Sequence, residues 1–381
     1  MKRLMLALLT AATVATTSFA AAVADELTLG LISNRTGPTS DIGIPHANGV
    51  LDAWKWQNQQ GGINGQLVEI AEIECGYSID CTKEAFTFLV EEEEVPLIHG
   101  FGTPDSIAVI PLTNQAKTVY MPLSYAEELV DAENAPYMFV TNADYSTAGR
   151  SAVRYVKKEG GKLALARHPE GFGIAPIPAI KEEAALQGVD VVAELDIGYV
   201  PTDAVEEVLR IEESGATHIW LGNTNTAMSV LAAELVRQNV DAKIIGNIYA
   251  GDEAFIENSG QFAEGHLAMY GSVNLSEINI PMIEEIKKVG HQGADSTHYI
   301  RGWAQGLLAG AALEQALSNG SATLTGDAVR QAMYELNQYS PGGLVPSVSF
   351  SPDDHRPNLV GNVYRVENGQ WVKHWENTLT R

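Results

Sequence analysis

The sequence predicts an α/β protein made of two similar lobes, each a doubly wound parallel sheet. Short, nearly continuous apolar segments alternate with amphipathic helical segments, and this alternation starts again near residue 145. Apolar strands separated by helices are typical of a parallel sheet that is covered on both faces. The length of 381 residues exceeds that of a usual single domain, which also favours two lobes.

The first α/β unit follows from the segments between residue 27 and residue 131. Apolar runs bounded by turn residues predict its strands, and longer amphipathic runs predict its helices. The predicted strands are 27–33, 67–74, 95–99 and 119–122, and the predicted helices are 43–60, 82–92, 104–116 and 126–131.

The second unit repeats the pattern and is followed by segments that both units must share. Its predicted helices are 145–158, 175–187, 204–214 and 227–239, with strands at 162–167, 191–195, 218–221 and 243–246. The remaining segments predict helices at 282–289, 296–317 and 325–336, then strands at 344–350, 359–366 and 371–375.

Residues 1–24 have the features of a cleaved signal peptide. Lys2 and Arg3 precede an apolar run, and Ala22 and Ala24 provide small residues before a cleavage point. The alternative is a membrane anchor. The apolar run is too short for that and is diluted by threonines, because a membrane-spanning helix needs about 20 apolar residues. We therefore expect a secreted mature chain without direct membrane insertion.

The chain is strongly acidic, with a formal net charge of −24. Loss of Lys2 and Arg3 with the signal peptide lowers the net charge to −26. Such a surface repels nucleic acid and anionic lipid, so we expect neither as a partner. Two interpretations remain: a solvated surface suited to a salty habitat, which we favour, or a specific basic partner.

The only two cysteines are Cys75 and Cys81. In an oxidising compartment, a close pair of this kind predicts a disulfide. Closing so short a loop stabilises a protein by roughly 2 kcal/mol. A metal site is disfavoured, because two thiols are too few ligands and no histidine lies near them in sequence.

Motifs of common enzymes are absent from the sequence. No G-x-S-x-G or phosphate-binding G-x-x-x-x-G-K-[ST] motif is present, and the nine histidines form no H-x-x-x-H pair. The glycines at 100 and 102 resemble the start of a dinucleotide loop, but Asp105 stands at the third glycine position. We therefore expect a protein that is not an enzyme and that uses no metal or other cofactor.

The turn at Gly102 has a second interpretation. It follows a predicted strand and precedes a helix, so Gly102, Thr103, Pro104 and Asp105 could hold an anion at the helix N-terminus. The alternative is an ordinary strand-to-helix turn.

Several short motifs, in their order along the chain, resemble those of one family. They are Leu29-Gly30-Leu31, Thr36-Gly37-Pro38, Gly43, Asn48-Gly49, Gly61-Gly62-Ile63-Asn64-Gly65-Gln66, Glu74-Cys75, the turn at 100–102, Tyr120-Met121-Pro122 and Ala263-Glu264-Gly265. Over essentially the whole mature chain, the sequence resembles the type I periplasmic binding proteins of the branched-chain amino acid (leucine/isoleucine/valine) kind, which serve ABC transporters.

The resemblance implies a fold and a function. It implies three crossovers between the lobes, near 140–142, 270–272 and 347–350. Lobe one would be 25–141 plus 273–348, and lobe two 142–272 plus 349–381. The protein would be a periplasmic monomer that captures a small organic solute by hinge closure and delivers it to an inner-membrane ABC permease. The solute would be amino acid-like, or a carboxylate or amide without an α-amino group. The alternative is a ligand-sensing receptor that docks on a signalling partner.

The resemblance also implies where the ligand binds. Two loops of the first lobe would hold a ligand carboxylate, and an aromatic residue of the second lobe would cover it. The candidate ligand-binding residues are Gly102, Thr103, Leu123, Ser124, Tyr125, Phe172, Asn223, Tyr249 and His298. For the aromatic residues among them, a place in the core is the alternative.

The sequence departs from the family pattern where relatives pair an acid with the ligand ammonium. Residues 247–249 contain no acid, and we assign Asp252 and Glu253 to the following helix. Because burying an unpaired ammonium is costly, we expect a carboxylate or an amide that lacks an α-amino group. Arg301 could pair with a ligand carboxylate, and a surface ion pair is its alternative role.

Overall fold

The structure is a computed structural model that describes residues 27–273, 279–289, 294–321 and 323–380. The predicted signal peptide, residues 1–24, lies outside the described residues.

Lobe one is built around a four-stranded parallel sheet with the order β2-β1-β3-β4. Its strands are β1 (Leu27–Ser33), β2 (Val68–Glu74), β3 (Leu97–His99) and β4 (Val119–Met121). The helices that follow β1, β2 and β3 are α1 (Ser40–Gln59), α2 (Ile79–Glu91) and α3 (Thr103–Ala116). Leu29 and Leu31 of β1 are completely buried beneath helices, as expected for a strand at the centre of a doubly wound sheet.

Three later helices also belong to lobe one: α9 (Pro281–Val289), α10 (Thr297–Ser318) and α11 (Gly326–Glu335). Two glycines allow α10 to pack backbone to backbone against α1. A Cβ atom on Gly302 would lie 2.1 Å from the carbonyl oxygen of His46, and one on Gly49 would lie 2.1 Å from that of Tyr299. The close contact anchors the first turns of α10 beside the cleft.

Lobe two is built around a seven-stranded sheet with the order β11-β10-β9-β8-β7-β5-β6. Its strands are β5 (Leu163–Arg167), β6 (Val191–Asp196), β7 (His218–Gly222), β8 (Lys243–Gly246), β9 (Leu267–Tyr270), β10 (Asn362–Glu367) and β11 (Gln370–Trp375). Its helices are α4 (Tyr145–Glu159), α5 (Ile177–Gln187), α6 (Val205–Ser214), α7 (Asn225–Arg237) and α8 (Glu253–Ser259). The two-lobed α/β architecture confirms the predicted fold class.

The sheet of lobe two is not parallel throughout. Strands β5 to β9 are parallel, whereas β10 runs antiparallel to both β9 and β11. The antiparallel edge is formed by the C-terminal hairpin, whose tight turn at Asn368 and Gly369 has positive φ angles. A hairpin can only pair antiparallel, so this edge departs from the parallel pattern.

Some predicted elements are wrong. The predicted strand at 344–350 is an irregular segment with a single bridge between Tyr339 and Val348. Pro346 cannot donate a backbone hydrogen bond, which interrupts any ladder there. The predicted helix at 126–131 is only a 3-10 turn, Glu127–Leu129. Strand β9 had no predicted counterpart, and α8 was expected only as a helix following residue 252, without bounds.

The chain passes between the two sheets three times: after β4, after β9 and before β10. After β9, the Val273 N–H donates to the Leu344 carbonyl at 2.8 Å, within the part that packs on lobe one. The lobe boundaries at 141/142, 272/273 and 348/349 stay a prediction. The passages leave the two sheets facing each other across one cleft.

Candidate functional site

The cleft between the lobes encloses a small cavity at the carboxyl ends of the strands. Its volume is about 20 Å³, which is room for about one water molecule. Both lobes contribute to its wall, and every side chain in that wall is uncharged or phenolic. The lining residues are Thr39, Ile42, Tyr77, Phe101, Gly102, Thr103, Leu123, Phe172 and Tyr249. Five of them are among the nine candidates predicted from the sequence: Gly102, Thr103, Leu123, Phe172 and Tyr249.

A chain of hydroxyl groups joins the lobes beside this cavity. We call Thr103, Ser124, Tyr145 and Tyr249 the hydroxyl seam. The Thr103 Oγ1 lies 2.8 Å from the Ser124 Oγ and 3.1 Å from the Tyr145 hydroxyl, which is 2.8 Å from the Tyr249 hydroxyl. Tyr249 donates to the carbonyl oxygen of Leu123 at 3.0 Å. Lobe two therefore reaches into lobe one through two tyrosine hydroxyls.

The hydroxyl seam is uncharged at any physiological pH. Burial raises the pKa of Tyr145 above its ordinary value, and burial raises that of Tyr249 well above it. Both phenols stay protonated and can donate or accept hydrogen bonds. A bound solute could exchange hydrogen bonds with the seam without any change in its charge.

Aromatic rings pack around Tyr249. The Phe172 ring meets it edge to face with the centroids 5.2 Å apart, and the Tyr125 ring is stacked at 6.4 Å. Tyr125 lies behind Tyr249, and its hydroxyl accepts a hydrogen bond from the Asn142 Nδ2 at 3.0 Å. Phe172 and Tyr249 thus face the cavity, whereas Tyr125 packs behind the Tyr249 ring.

The N-terminus of α3 carries an acid of its own. The Asp105 carboxylate accepts the Gly102 N–H at 3.4 Å, and burial raises its pKa to about 6. The predicted anion cradle at Gly102 and Thr103 therefore has a carboxylate behind it. Because Asp105 already accepts the Gly102 N–H, a ligand oxygen here would be held by the Thr103 hydroxyl and not by the N-terminus of α3.

A second connection between the lobes is built from charged groups. We call Asp41, Asn225, Asp252, His298 and Arg301 the charged seam. The His298 Nε2 lies 3.1 Å from the Asp252 Oδ2, and Arg301 donates to the His298 Nδ1 at 3.1 Å. Because arginine can only donate, His298 accepts at Nδ1, and its Nε2–H donates a hydrogen bond to Asp252. Arg301 also donates to the Ile248 carbonyl across the cleft at 2.8 Å.

The centre of the charged seam is buried, with Arg301, His298 and Asp252 exposed by 0%, 1% and 3%. The alternative role of Arg301 as a surface ion pair is therefore wrong. Burial raises the pKa of Asp252 to about 6, and burial with the neighbouring Arg301 holds that of His298 well below its ordinary value. His298 is neutral near pH 7, and Asp252 supplies the countercharge to Arg301.

Within the charged seam, Asn225 connects Asp252 to Asp41 of lobe one, and Glu253 lies beside the seam. The Asn225 Nδ2 donates to Asp252 at 2.8 Å and to Asp41 of lobe one at 3.2 Å. Glu253 accepts the Thr297 N–H at 2.9 Å, and burial raises its pKa to about 7. Asp252 is the N-cap of α8, as the sequence assignment to that helix expected, and it does not line the cavity.

Four predicted candidates lie outside the cavity wall. Ser124 and Tyr125 support it from lobe one, and His298 belongs to the charged seam. Asn223 is buried, and its Nδ2 donates to the Ile197 and Gly198 carbonyls at 2.9 and 3.0 Å, which ties down the loop after β6. Their roles as ligand contacts stay a prediction.

Sequence reasoning missed four residues of the cavity wall, Thr39, Ile42, Tyr77 and Phe101, and also Tyr145 of the hydroxyl seam. Tyr145 begins α4 and has no sequence signal of its own. Tyr77 lies between Cys75 and Cys81, and the predicted disulfide could have indicated that this segment is held in a fixed position. The structure joins Cys75 and Cys81 in a disulfide with the Cα atoms 5.4 Å apart.

Other kinds of site were sought in the described part of the chain. It holds no group of three or more histidine, cysteine or acidic side chains arranged for a metal ion. No helix within the described ranges is long and apolar enough to cross a membrane.

Two α/β lobes that meet around a small, uncharged cavity define a solute-binding protein. A sequence model of the family described as "Periplasmic binding protein" matches residues 26–370, so the chain belongs to that family. This confirms the resemblance seen in the sequence motifs. Among curated proteins, none matches the sequence significantly.

Solved structures of similar fold cover nearly the whole chain. A branched-chain amino acid ABC transporter protein from Thermus thermophilus with bound valine is 23% identical, with a TM-score of 0.87, over 93% of this chain and 97% of its own. A fatty acid ABC transporter substrate-binding protein from Thermomonospora curvata is 19% identical, with a TM-score of 0.80, over 91% of each chain.

A third similar structure is an ABC transporter solute-binding protein from R. palustris in complex with 4-hydroxybenzoate. It is 21% identical, with a TM-score of 0.79, and the match covers 93% of this chain and 96% of that one. The named ligands of the three proteins differ in chemistry. The shared fold therefore does not determine the ligand.

Proposed function

We propose that this chain is the periplasmic solute-binding component of an ABC transporter of the branched-chain amino acid type. It captures a small organic solute between its lobes and, as a monomer released from its 1–24 signal peptide, delivers it to an inner-membrane permease. The observation that supports this most is the cavity whose wall is contributed by both lobes. A ligand that touches both lobes stabilises the closed form, which is the form a permease can recognise.

We further propose that the solute lacks an α-ammonium group. The cavity wall contains no carboxylate, and Asp252 already bonds Asn225, His298 and the Phe255 N–H. Desolvating an ammonium without a countercharge costs several kcal/mol, enough to remove micromolar affinity. A carboxylate or amide head instead finds the hydroxyls of Thr103 and Tyr249, and its apolar body finds Phe172.

The named ligands of similar structures are compatible with this class. A fatty acid and 4-hydroxybenzoate have a carboxylate and no amine, whereas valine has both. Because the fold accommodates all three, the residues of the cavity wall must decide between them. The missing carboxylate in the wall of this chain favours the first two.

Isothermal titration calorimetry with leucine and its deaminated analogue, 4-methylpentanoate, tests the ligand class. The two molecules share the apolar body and differ at the amino group. We expect the analogue to bind at least about tenfold tighter, a difference of about 1.4 kcal/mol. Sub-micromolar binding of leucine with none of the analogue would show that the second lobe provides a countercharge after all.

The role in transport needs its own measurement. The protein loaded with its tightest solute is added to its cognate permease, reconstituted in proteoliposomes, and ATP hydrolysis is followed. We expect the loaded form to stimulate hydrolysis more than the protein without solute. Equal rates with both forms would favour the role of a sensing receptor instead.

A further inference from the structure

The segment between the two cysteines forms a short arch that carries Tyr77 at its top. Gly76 and Tyr77 have φ angles of +57° and +66°, so two successive residues are left-handed. A bulky side chain rarely adopts this conformation unless its surroundings hold it there. Here the Cys75–Cys81 disulfide closes the arch, and the Ser78 N–H donates to the Cys75 carbonyl at 3.0 Å.

Glu74 ties the foot of the arch to the neighbouring loop after β1. Its Oε1 accepts the N–H groups of Arg35 at 3.0 Å, Thr36 at 2.9 Å and Gly76 at 2.9 Å, and the Thr36 hydroxyl at 3.0 Å. Burial acts to raise the Glu74 pKa, but these hydrogen bonds outweigh it and lower the pKa. The arch is therefore fixed at its base as well as by the disulfide.

The Tyr77 ring is seated on the N-terminus of α3, in the cavity wall. A Cβ atom on Gly102 would lie only 1.8 Å from the Tyr77 Cε2, so only glycine leaves room for the ring. The ring meets Phe101 edge to face, with the centroids 5.8 Å apart. The glycine that the sequence suggested for an anion cradle is thus needed as the seat of a tyrosine.

Tyr77 also meets the opposite lobe. Tyr77 and Tyr199, in the loop after β6, pack against the same buried apolar cluster. Tyr199 stacks on His168 with the centroids 3.6 Å apart and tilts against Phe172 at 5.9 Å. Phe172 lines the cavity from lobe two. Rings of both lobes therefore meet above the cavity, with Tyr77 as the contribution of lobe one.

We propose that Tyr77 is the lid residue of the solute site. The Cys75–Cys81 disulfide holds its ring over the solute, and its contact with Tyr199 closes the cleft when the lobes meet. This rests on the proposed function and adds a specificity: the flat face of the ring suits a solute with a planar or apolar body. The disulfide then serves binding by positioning Tyr77, in addition to bracing lobe one.

Four variants test the lid by calorimetry with 4-methylpentanoate and 4-hydroxybenzoate as probes. They are Tyr77→Ala, Tyr77→Phe, the double variant Cys75→Ser/Cys81→Ser and the triple variant that adds Tyr77→Ala to the double. We expect Tyr77→Ala to weaken the better probe about tenfold or more, and Tyr77→Phe, which keeps the ring, about threefold or less. Phe88→Ala is the control, because Phe88 is exposed on α2 in the same lobe, and it should leave affinity unchanged.

The triple variant separates positioning from bracing. If the disulfide acts through Tyr77, the double variant loses affinity and the triple variant loses no more than Tyr77→Ala alone. Losses that simply add would show that the disulfide acts elsewhere. Probe affinity equal to wild type in Tyr77→Ala would remove Tyr77 from the site.

The lid and the ligand class can fail separately. If neither probe binds the wild type, the proposed ligand class is wrong. The lid is then tested by amide hydrogen exchange in the protein without solute. The lid predicts faster exchange in the Tyr199 loop of Tyr77→Ala than of Phe88→Ala, because its cross-lobe contact is lost. Equal exchange in the two variants would overturn the proposal.

Discussion

The hydroxyl seam and the charged seam join the same two lobes with opposite chemistry. Tyr145 and Tyr249 reach lobe one through neutral hydroxyls at the cavity, whereas Asp252 meets His298 and Arg301 in a buried cluster of charges. A solute can replace a hydroxyl contact with one of its own at little cost. The groups of the charged seam have no such substitute. The difference indicates that the hydroxyl seam serves ligand exchange, whereas the charged seam holds the two lobes in register.

The energies of the two seams should differ accordingly. A neutral hydrogen bond contributes about 1 kcal/mol net, because water competes for both partners. Removing one partner of a buried ion pair costs about 3–5 kcal/mol, because the other charge is left uncompensated. The predictions that follow break the charged seam first and the hydroxyl seam last.

The largest effect is expected for Asp252→Ala. The change removes the buried carboxylate that Arg301 reaches through His298, and it removes the cap that accepts the Phe255 N–H at 3.0 Å. We expect a loss of about 3–5 kcal/mol in the free energy of unfolding, measured in urea at pH 7. Asp353→Ala, at an exposed acid, is the control and should change stability by less than about 0.5 kcal/mol. A loss below about 1 kcal/mol for Asp252→Ala would mean that Asp252 does not compensate the charge of Arg301 in solution.

An intermediate effect is expected for Glu253→Gln, and it depends on pH. The folded protein raises the pKa of Glu253 from 4.5 to about 7, so the folded state binds a proton that the unfolded state has released. The stability contributed by this group is present below about pH 4.5 and is lost as pH rises through about 7. The glutamine cannot titrate.

Stability relative to wild type should therefore shift in favour of Glu253→Gln by about 2 kcal/mol between pH 5 and pH 8. Urea unfolding of both proteins at the two pH values measures this difference. Asp41, His298 and Arg301 are common to both proteins, and Asp252, whose charge acts on Glu253, contributes to the difference through that coupling. A constant difference across this range would assign Glu253 an ordinary pKa.

The smallest effect is expected for Tyr249→Phe, in the hydroxyl seam. The variant keeps the ring and loses the hydrogen bonds to Leu123 and Tyr145. We expect a loss of about 1 kcal/mol in the free energy of unfolding, with no change in its dependence on pH between 5 and 8. A loss above about 3 kcal/mol would show that the hydroxyl seam also holds the lobes in register.

The sequence predicted both cavity-wall residues of lobe two, Phe172 and Tyr249, but only three of the seven in lobe one. Gly102, Thr103 and Leu123 follow strands of one parallel sheet, and such loops meet at one edge whatever the rest of the chain does. Asn223 follows the same rule in lobe two, but its amide is used to hold the Ile197 loop. Strand order predicts which loops meet, and side-chain hydrogen bonds then decide which residues reach the cavity.

The sequence by itself determined the alternation of strands and helices, the two-lobed class and the cysteine pair, because these depend on local periodicity and on spacing along the chain. Only the tertiary structure decided the rest. It joined Asp252 to His298 and Arg301, and it seated Tyr77 on Gly102. The first contact depends on how the two lobes approach each other, and the second on how two loops of one sheet pack; no local pattern encodes either distance. Burial in the tertiary structure also raised the pKa of Asp252 and lowered that of His298.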